Sequence, residues 1–334
     1  MAAYTFRDII GNKDVIRHLQ SAAESGRVSH AYLIEGEEGS GRSMIADVFA
    51  KTLLCEKGGT DACNSCTSCL KASDRNHPDI IYVTHEKTNT ISVGDIREQL
   101  VGTVDILPYE SRYKIYIMPE AEKMTEQAQN ALLKTIEEPP EYVVILLLAS
   151  AAESLLATIR SRCVTLSLLP VSDREVRDYL TERLKMPDYE AKVLTAFAQG
   201  NIGRALYAAT DEDFILRKNR TFSLIRSLKG MDAAAMAEAV RLMKEDRSGI
   251  NDVFDILLMW YRDVLMFKAT REIDQLIFTQ ETSLIRTQAM NASYEGLQEI
   301  LDAIDRCAVR LRANVNFELA LGLLLYTIKE NCNA

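Results

Sequence analysis

The chain has 334 residues, of which 47% are hydrophobic and 26% charged, and its net charge is −9. This composition excludes a disordered chain, the length predicts two or three domains, and the acidic balance argues against autonomous, non-specific nucleic-acid binding, which depends on clustered Lys and Arg. No apolar run is long enough to span a bilayer and no secretory leader pattern opens the chain, so we expect a cytosolic protein without a membrane partner.

The first half of the chain alternates strand and helix patterns. Short apolar runs predict five strands, within His30–Gly36, Asp79–Val83, Lys114–Met118, Tyr142–Ser150 and Val164–Leu169. Helical patterns separate them, and a Pro-Pro pair ends the helix in "TEQAQNALLKTIEE". Because strands and helices alternate, we expect a five-stranded parallel α/β sheet with right-handed crossovers.

After Pro170 the strand patterns stop and helical patterns follow. Ser172 and Glu175 form a capping box at the start of the next helix, and a break near Gly200 separates two short helices. We therefore predict three domains: an α/β domain, a small helical domain and a larger helical domain, at 1–170, 171–212 and 213–334.

The stretch "GEEGSGRS" has the spacing of a phosphate-binding loop, G-x-x-x-x-G-K-[ST], with Arg42 in the lysine position. Gly36, Gly39 and Gly41 permit a backbone path that points amides inward. Ser43 is a candidate Mg²⁺ ligand. Arginine keeps the positive charge but is a bulky planar fork rather than a compact point charge. The loop alone leaves two interpretations open, a site for ATP or ADP and a glycine-rich turn without a ligand.

A second position bears on hydrolysis. A working ATPase of this type ends its third strand with an Asp that holds Mg²⁺, followed by a Glu that polarises the attacking water. Here "KIYIMPEAEKM" places Pro119 at the Asp position and Glu120 at the Glu position. Two losses together predict that the chain does not hydrolyse ATP by itself. Glu120 stays a candidate nucleotide-site residue, although a solvated strand end explains Glu120 and Glu122 better.

Four of the seven cysteines stand in a C-x7-C-x2-C-x2-C pattern: Cys55, Cys63, Cys66 and Cys69. In a cytosolic protein such a cluster favours a metal over disulfides. Four thiolates suit a closed, tetrahedral, structural zinc site, and the spacing alone leaves an iron–sulfur cluster open as the alternative. His77, eight residues further on, is interpreted as a loop histidine rather than a ligand.

Two arginines, Arg160 and Arg162, precede the fifth strand in "ATIRSRCVTL". An arginine at the edge of an α/β sheet that faces another subunit is well placed to reach that subunit's phosphates. Without further information, a plain surface residue is the better interpretation of each.

Several stretches, in this order, resemble the bacterial AAA+ clamp-loader subunits of DNA polymerase III: "HAYLIEG" with its loop, the four-cysteine insert, "KIYIMPEAEKMTEQAQNALLKTIEEPPE", "LLLAS" and "SRC". "GNIGRAL" resembles the family's sensor region and "LRANVNFELALGLLLYTI" its collar helices. The resemblance thus covers the whole chain, and its most specific part is "NALLKTIEEPPE" followed by "SRC".

The resemblance implies a RecA-like AAA+ domain with a zinc-binding insert at 55–69, a helical lid and an all-α collar. The collar would assemble in a ring with gamma/tau and delta subunits, and the assembly would load the sliding clamp on primer–template DNA. "SRC" would supply Arg162 as an arginine finger to the neighbouring ATP site.

Arg42 and Pro119 depart from the family's ATP-hydrolysing gamma/tau pattern, which favours a stationary, non-hydrolysing subunit. One alternative is a gamma/tau-like motor. Another is a zinc protein that binds DNA alone, which is weakened by the nearly balanced charge of "EKGGTDACNSCTSCLKASDR".

Overall fold

The structure is a computed structural model that describes residues 4–85 and 87–332. The chain forms two compact units. The first extends through Glu175 and includes Asn201–Gly203, and the second comprises Val176–Gly200 and the chain from Arg204 onward. The three-domain division at 170 and 212 stays a prediction.

A five-stranded parallel sheet forms the centre of the first unit, with the strand order 2-3-4-1-5. The strands are β1 (Ala31–Glu35), β2 (Ile80–Tyr82), β3 (Lys114–Met118), β4 (Val143–Ala149) and β5 (Val164–Ser167). On β1, Leu33 lies opposite Leu147 of β4 on one side and Thr165 of β5 on the other. The predicted five-stranded parallel sheet is confirmed.

Both faces of this sheet are covered. Every residue of β3 and β4 is buried, and successive residues enter opposite cores: Tyr116 and Leu147 pack on one face, while Ile117 and Leu146 pack on the other. This arrangement explains why β4 reads as an unbroken apolar run, since a strand buried on both sides has no solvent-facing positions.

The helices of the first unit connect these strands. They are α1 (Lys13–Ser25), α2 (Arg42–Leu53), α3 (Thr67–Ser73), α4 (Val93–Ile96), α5 (Glu126–Glu137) and α6 (Ala157–Arg160). A π-helical turn, Arg97–Val101, continues α4. The side chain of Ser92 accepts the Asp95 amide and caps α4, and Thr125 caps α5 in the same way.

The remaining helices are α7 (Asp173–Asp178), α8 (Asp188–Ala198), α9 (Ile202–Thr210), α10 (Glu212–Ser227), α11 (Ala233–Glu245), α12 (Ile250–Thr270), α13 (Thr282–Asn291), α14 (Tyr294–Arg312) and α15 (Phe317–Asn331). In the part of the chain that the structure describes, no strand follows Ser167. The long helix α12 lies centrally in the second unit and packs against α10, α13 and α14. Its Trp260 is buried and donates from Nε1 to Gln288 Oε1 at 2.7 Å. Among the described residues, no helix combines the length and apolar character needed to cross a membrane.

Candidate functional site

The glycine-rich loop connects the end of β1 to the start of α2, the strand–loop–helix context expected of a phosphate-binding loop. The Gly36 amide donates to the Ala149 carbonyl on β4. Gly39 and Gly41 have φ angles of +83° and +96°, which side chains rarely adopt, so glycine is required at both. Gly41 precedes α2, and no side chain caps that end of the helix.

Arg42, the first residue of α2, points toward the segment that follows β3. Its Nη1 atom lies 3.9 Å from Glu122 Oε1, and the two side chains are only 14% and 23% exposed. Arg42 Nη1 and Glu122 Oε2 are buried without a hydrogen-bond partner. The arginine in the lysine position thus faces an internal carboxylate across the loop.

The acid nearest to Arg42 is therefore Glu122, a residue that the sequence suggested to be solvated. Glu120, the candidate from the sequence, has a left-handed backbone, φ +52°, and its carboxylate lies beside Lys123 and His85. The hydrogen bond from Lys123 lowers the pKa of Glu120, with a smaller contribution from His85. Because Pro119 offers no ligand atom, this strand end lacks the Asp that a hydrolytic site uses to hold Mg²⁺.

A distant segment of the same unit closes on the tip of the loop. The Gly203 amide donates to the Gly39 carbonyl at 3.0 Å, and Asn201 Nδ2 donates to the Glu38 carbonyl at 2.7 Å. A Cβ at position 203 would lie 2.5 Å from Gly39 Cα, so only glycine permits this approach. Asn201 and Gly203 thus hold the loop, the first through its side chain and the second through its backbone.

The four predicted cysteines converge into one cluster. Their Sγ atoms all lie within 4.8 Å of one another, and those of Cys63 and Cys69 are 3.9 Å apart. Tetrahedral zinc with Zn–S bonds of about 2.3 Å places sulfurs about 3.8 Å apart, so the spacing fits. The Cys66 and Cys69 amides donate to the sulfurs of Cys63 and Cys66, each at 3.4 Å. The four sulfurs would fill all four positions of a tetrahedral ion and would leave none open for catalysis.

The surroundings of the sulfurs suit a bound cation. Hydrogen bonds from Ser65 lower the pKa of Cys63 to about 5, whereas burial raises the pKa of Cys69. A buried thiolate at Cys69 needs a compensating positive charge, which a divalent metal ion supplies. The cluster can therefore hold a metal ion as a structural element.

His77 lies in the loop between α3 and β2, where it is buried beside the cysteine cluster. The Asp79 amide donates to its Nδ1 at 3.1 Å, so Nε2 carries the proton of the neutral ring. Nε2 lies 3.1 Å from Ser68 Oγ, which donates onward to the Leu54 carbonyl. Burial lowers the pKa of His77 and favours this neutral form. His77 braces the module and lies outside its ligand set.

Arg162 lies in the turn between α6 and β5, and its side chain is 39% exposed. Its Nη2 is 2.8 Å from Glu137 Oε1, and its Nη1 donates to the Thr158 carbonyl at 3.0 Å and to Ser161 Oγ at 3.3 Å. Arg160, by contrast, has its Nε buried without a hydrogen-bond partner. Of the two candidate arginines, Arg162 is the one presented outward with its guanidinium held in place.

These features define the class of protein. It is a chain of two compact units, with a parallel α/β domain that carries a glycine-rich loop and a four-cysteine module, followed by a helical region. Family models described as "DNA polymerase III, delta subunit" and "DNA polymerase III, delta subunit, C terminal" match residues 11–172 and 212–330. Together the two models cover most of the chain, and the chain belongs to this DNA polymerase III delta subunit family.

Individual proteins with known names or structures are similar to this chain. The Bacillus subtilis DNA polymerase III subunit delta' is 29% identical over 95% of each chain. The Haemophilus influenzae subunit tau/gamma is 34% identical over 62% of this chain and only 30% of that relative's length. A Thermotoga maritima gamma subunit-related structure covers 96% of this chain and 99% of its own, with 21% identity and a TM-score of 0.44.

Proposed function

We propose that the protein is the stationary subunit of a DNA polymerase III clamp loader and supplies Arg162 to the ATP site of a neighbouring gamma/tau subunit. In this proposal it assembles with gamma/tau and delta subunits in the cytosol. The complex then loads the sliding clamp on primed DNA. The observation that carries the proposal is the contrast between an inward-facing Arg42 and an outward-facing Arg162.

Three features support a chain that does not hydrolyse ATP. Arg42 lies close to Glu122, Pro119 stands where a metal-binding Asp is needed, and Gly203 packs on the tip of the loop. Hydrolysis depends on Mg²⁺ bridging the β- and γ-phosphates and on a residue that orients water. The similarity to tau/gamma relatives makes an ATP-hydrolysing motor subunit the second candidate. The absence of the loop lysine, replaced by Arg42, and of the metal-binding Asp, replaced by Pro119, argues against it.

The chemistry of Arg162 supports action in trans. Hydrolysis of ATP places negative charge on the γ-phosphate oxygens in the transition state, and a guanidinium from an adjacent subunit neutralises it. The turn that carries Arg162 is anchored by the buried side chain of Ile159 and by Cys163, which packs against the core of the sheet. The backbone that carries Arg162 is therefore held in place by the core.

We propose zinc as the ion of the cysteine cluster. Four sulfur ligands in a compact tetrahedral arrangement are typical of structural zinc. The module would stabilise the connection between α2 and β2, and it would take no part in ATP hydrolysis.

The helical unit offers a surface for assembly. On α15, the apolar side chains of Leu319, Leu323 and Tyr326 are 60%, 49% and 55% exposed, and their spacing places them on one face of the helix. The opposite face is buried in the unit through Leu321 and Leu325. An apolar stripe of this kind suits a helix of a partner subunit, and we assign it to the collar contact with gamma/tau.

Substitution of Leu323 by aspartate should therefore abolish entry into the complex while leaving the fold intact, because it places a charge in an apolar interface. Gel filtration of the variant mixed with gamma/tau and delta subunits measures assembly, and circular dichroism monitors folding. Met290→Asp is the matched control, since Met290 is 61% exposed but lies on α13. A Leu323→Asp variant that still joins the complex would contradict the assignment of this stripe.

A further inference from the structure

Besides Thr158 and Ser161, the Arg162 side chain contacts the carboxylate of Glu137, which is the last residue of α5. Helix α5 packs on the sheet through Leu132 and Ile136, which are buried, and it ends at Glu137 just before the Pro139-Pro140 pair. The Glu137 backbone is therefore fixed by the core. Its carboxylate, 45% exposed, lies 2.8 Å from Arg162 Nη2.

The contacts of the Arg162 guanidinium leave the N–H of Nε available. A guanidinium carries five N–H groups. Nη1 donates to Thr158 and Ser161, and Nη2 pairs with Glu137. Among the described residues Nε has no partner, and Nη2 retains a second N–H. The N–H of Nε can therefore donate to an oxygen of an oxyanion, as a charge-assisted hydrogen bond.

We infer that Glu137 is a positioning residue for the finger: it holds the Arg162 guanidinium in place so that the N–H of Nε is presented to the γ-phosphate of a neighbouring subunit. This inference rests on the proposed function of Arg162. A long arginine side chain in solvent samples many rotamers, and binding one end of it in advance reduces the ordering cost of reaching the transition state. Glu137 itself does not touch the nucleotide.

The inference predicts a small and specific effect. Loss of an exposed ion pair changes an equilibrium by about fivefold at most. Glu137→Ala should therefore lower kcat several-fold at the ATP site that Arg162 completes, with the KM for ATP unchanged, and should lower the total rate of the reconstituted complex by less than Arg162→Ala does. Glu137→Gln, which keeps an acceptor oxygen but not the charge, should fall between Ala and wild type. Glu138→Ala is the matched control, because Glu138 is the exposed acidic neighbour with no recorded ion pair in the described chain.

Four complexes decide the question: wild type, Glu137→Ala, Arg162→Ala and the double variant. We expect Glu137→Ala to lower kcat only where Arg162 is present, so that the double variant equals Arg162→Ala. If Arg162→Ala lowers kcat but Glu137→Ala does not, or if Glu137→Ala lowers it equally without Arg162, the positioning role is overturned and the finger stands. If Arg162→Ala leaves kcat unchanged, the proposed function of Arg162 fails as well.

Discussion

Replacing Arg162 by alanine should lower ATP turnover at the site that it completes by about 10³-fold or more, the scale of arginine fingers supplied to a neighbour. The reason is electrostatic. Removal of the guanidinium leaves the charge that develops on the γ-phosphate oxygens without its neutralising partner. Steady-state hydrolysis by the reconstituted complex, saturated with primed DNA and clamp, measures the loss. The total rate should fall by the share that this site contributes.

Lysine should not restore the rate, because an ammonium group lacks the planar fork that an arginine offers to phosphate oxygens. Gel filtration provides the control, since Arg162 is partly exposed and its loss should leave assembly intact. A fully assembled Arg162→Ala complex that hydrolyses ATP at the wild-type rate would exclude the finger role.

Replacing Cys69 by serine should reduce bound zinc from about one ion per chain to nearly none, since structural sites need all four ligands. Cys69 is fully buried near the start of α3. The serine hydroxyl at this position would be a poor zinc ligand and could not reach solvent. We expect the segment 55–69 to become sensitive to proteolysis, and the melting temperature to fall by several degrees. Metal analysis and limited proteolysis measure both effects.

Cys307→Ser is the control for this experiment, because Cys307 is an equally buried thiol that lies outside the cluster. It should destabilise the helical unit while leaving the zinc content at about one per chain. Wild-type protein purified without any metal would refute the metal site. If the analysis finds iron and sulfide instead of zinc, the cluster is an iron–sulfur site.

The sheet could be predicted because its signals are local. β4 is apolar on both faces, and the Pro139-Pro140 pair ends α5 just before it. The cysteine spacing was equally informative, since two C-x-x-C pairs bring their sulfurs together through short turns. Both patterns depend on neighbours in the sequence, and both agree with the structure.

The partner of Arg42 could not be predicted in this way. An ordinary strand end would have pointed the residue at position 120 toward the loop, but the left-handed backbone at Glu120 turns the chain and brings Glu122 near Arg42 instead. The alternation of side chains along a strand ends where φ becomes positive. Glycine often signals such a position in a sequence, but a glutamate does not.

Two other contacts depend on the tertiary fold. The approach of Gly203 to Gly39 and the pairing of Glu137 with Arg162 each join segments that are far apart in the chain. No local pattern in the sequence indicates the first contact. For the second contact, no periodicity in the sequence links Glu137 to the turn that carries Arg162.

The central claim is that the chemistry of this chain lies at Arg162 and not at Arg42. The most direct test compares ATP turnover of reconstituted complexes that carry either Arg42→Ala or Arg162→Ala in this subunit. We expect Arg42→Ala to retain the wild-type rate and Arg162→Ala to lose the contribution of the adjoining site. Loss of turnover with Arg42→Ala, together with full activity of Arg162→Ala, would show instead that this chain hydrolyses its own ATP.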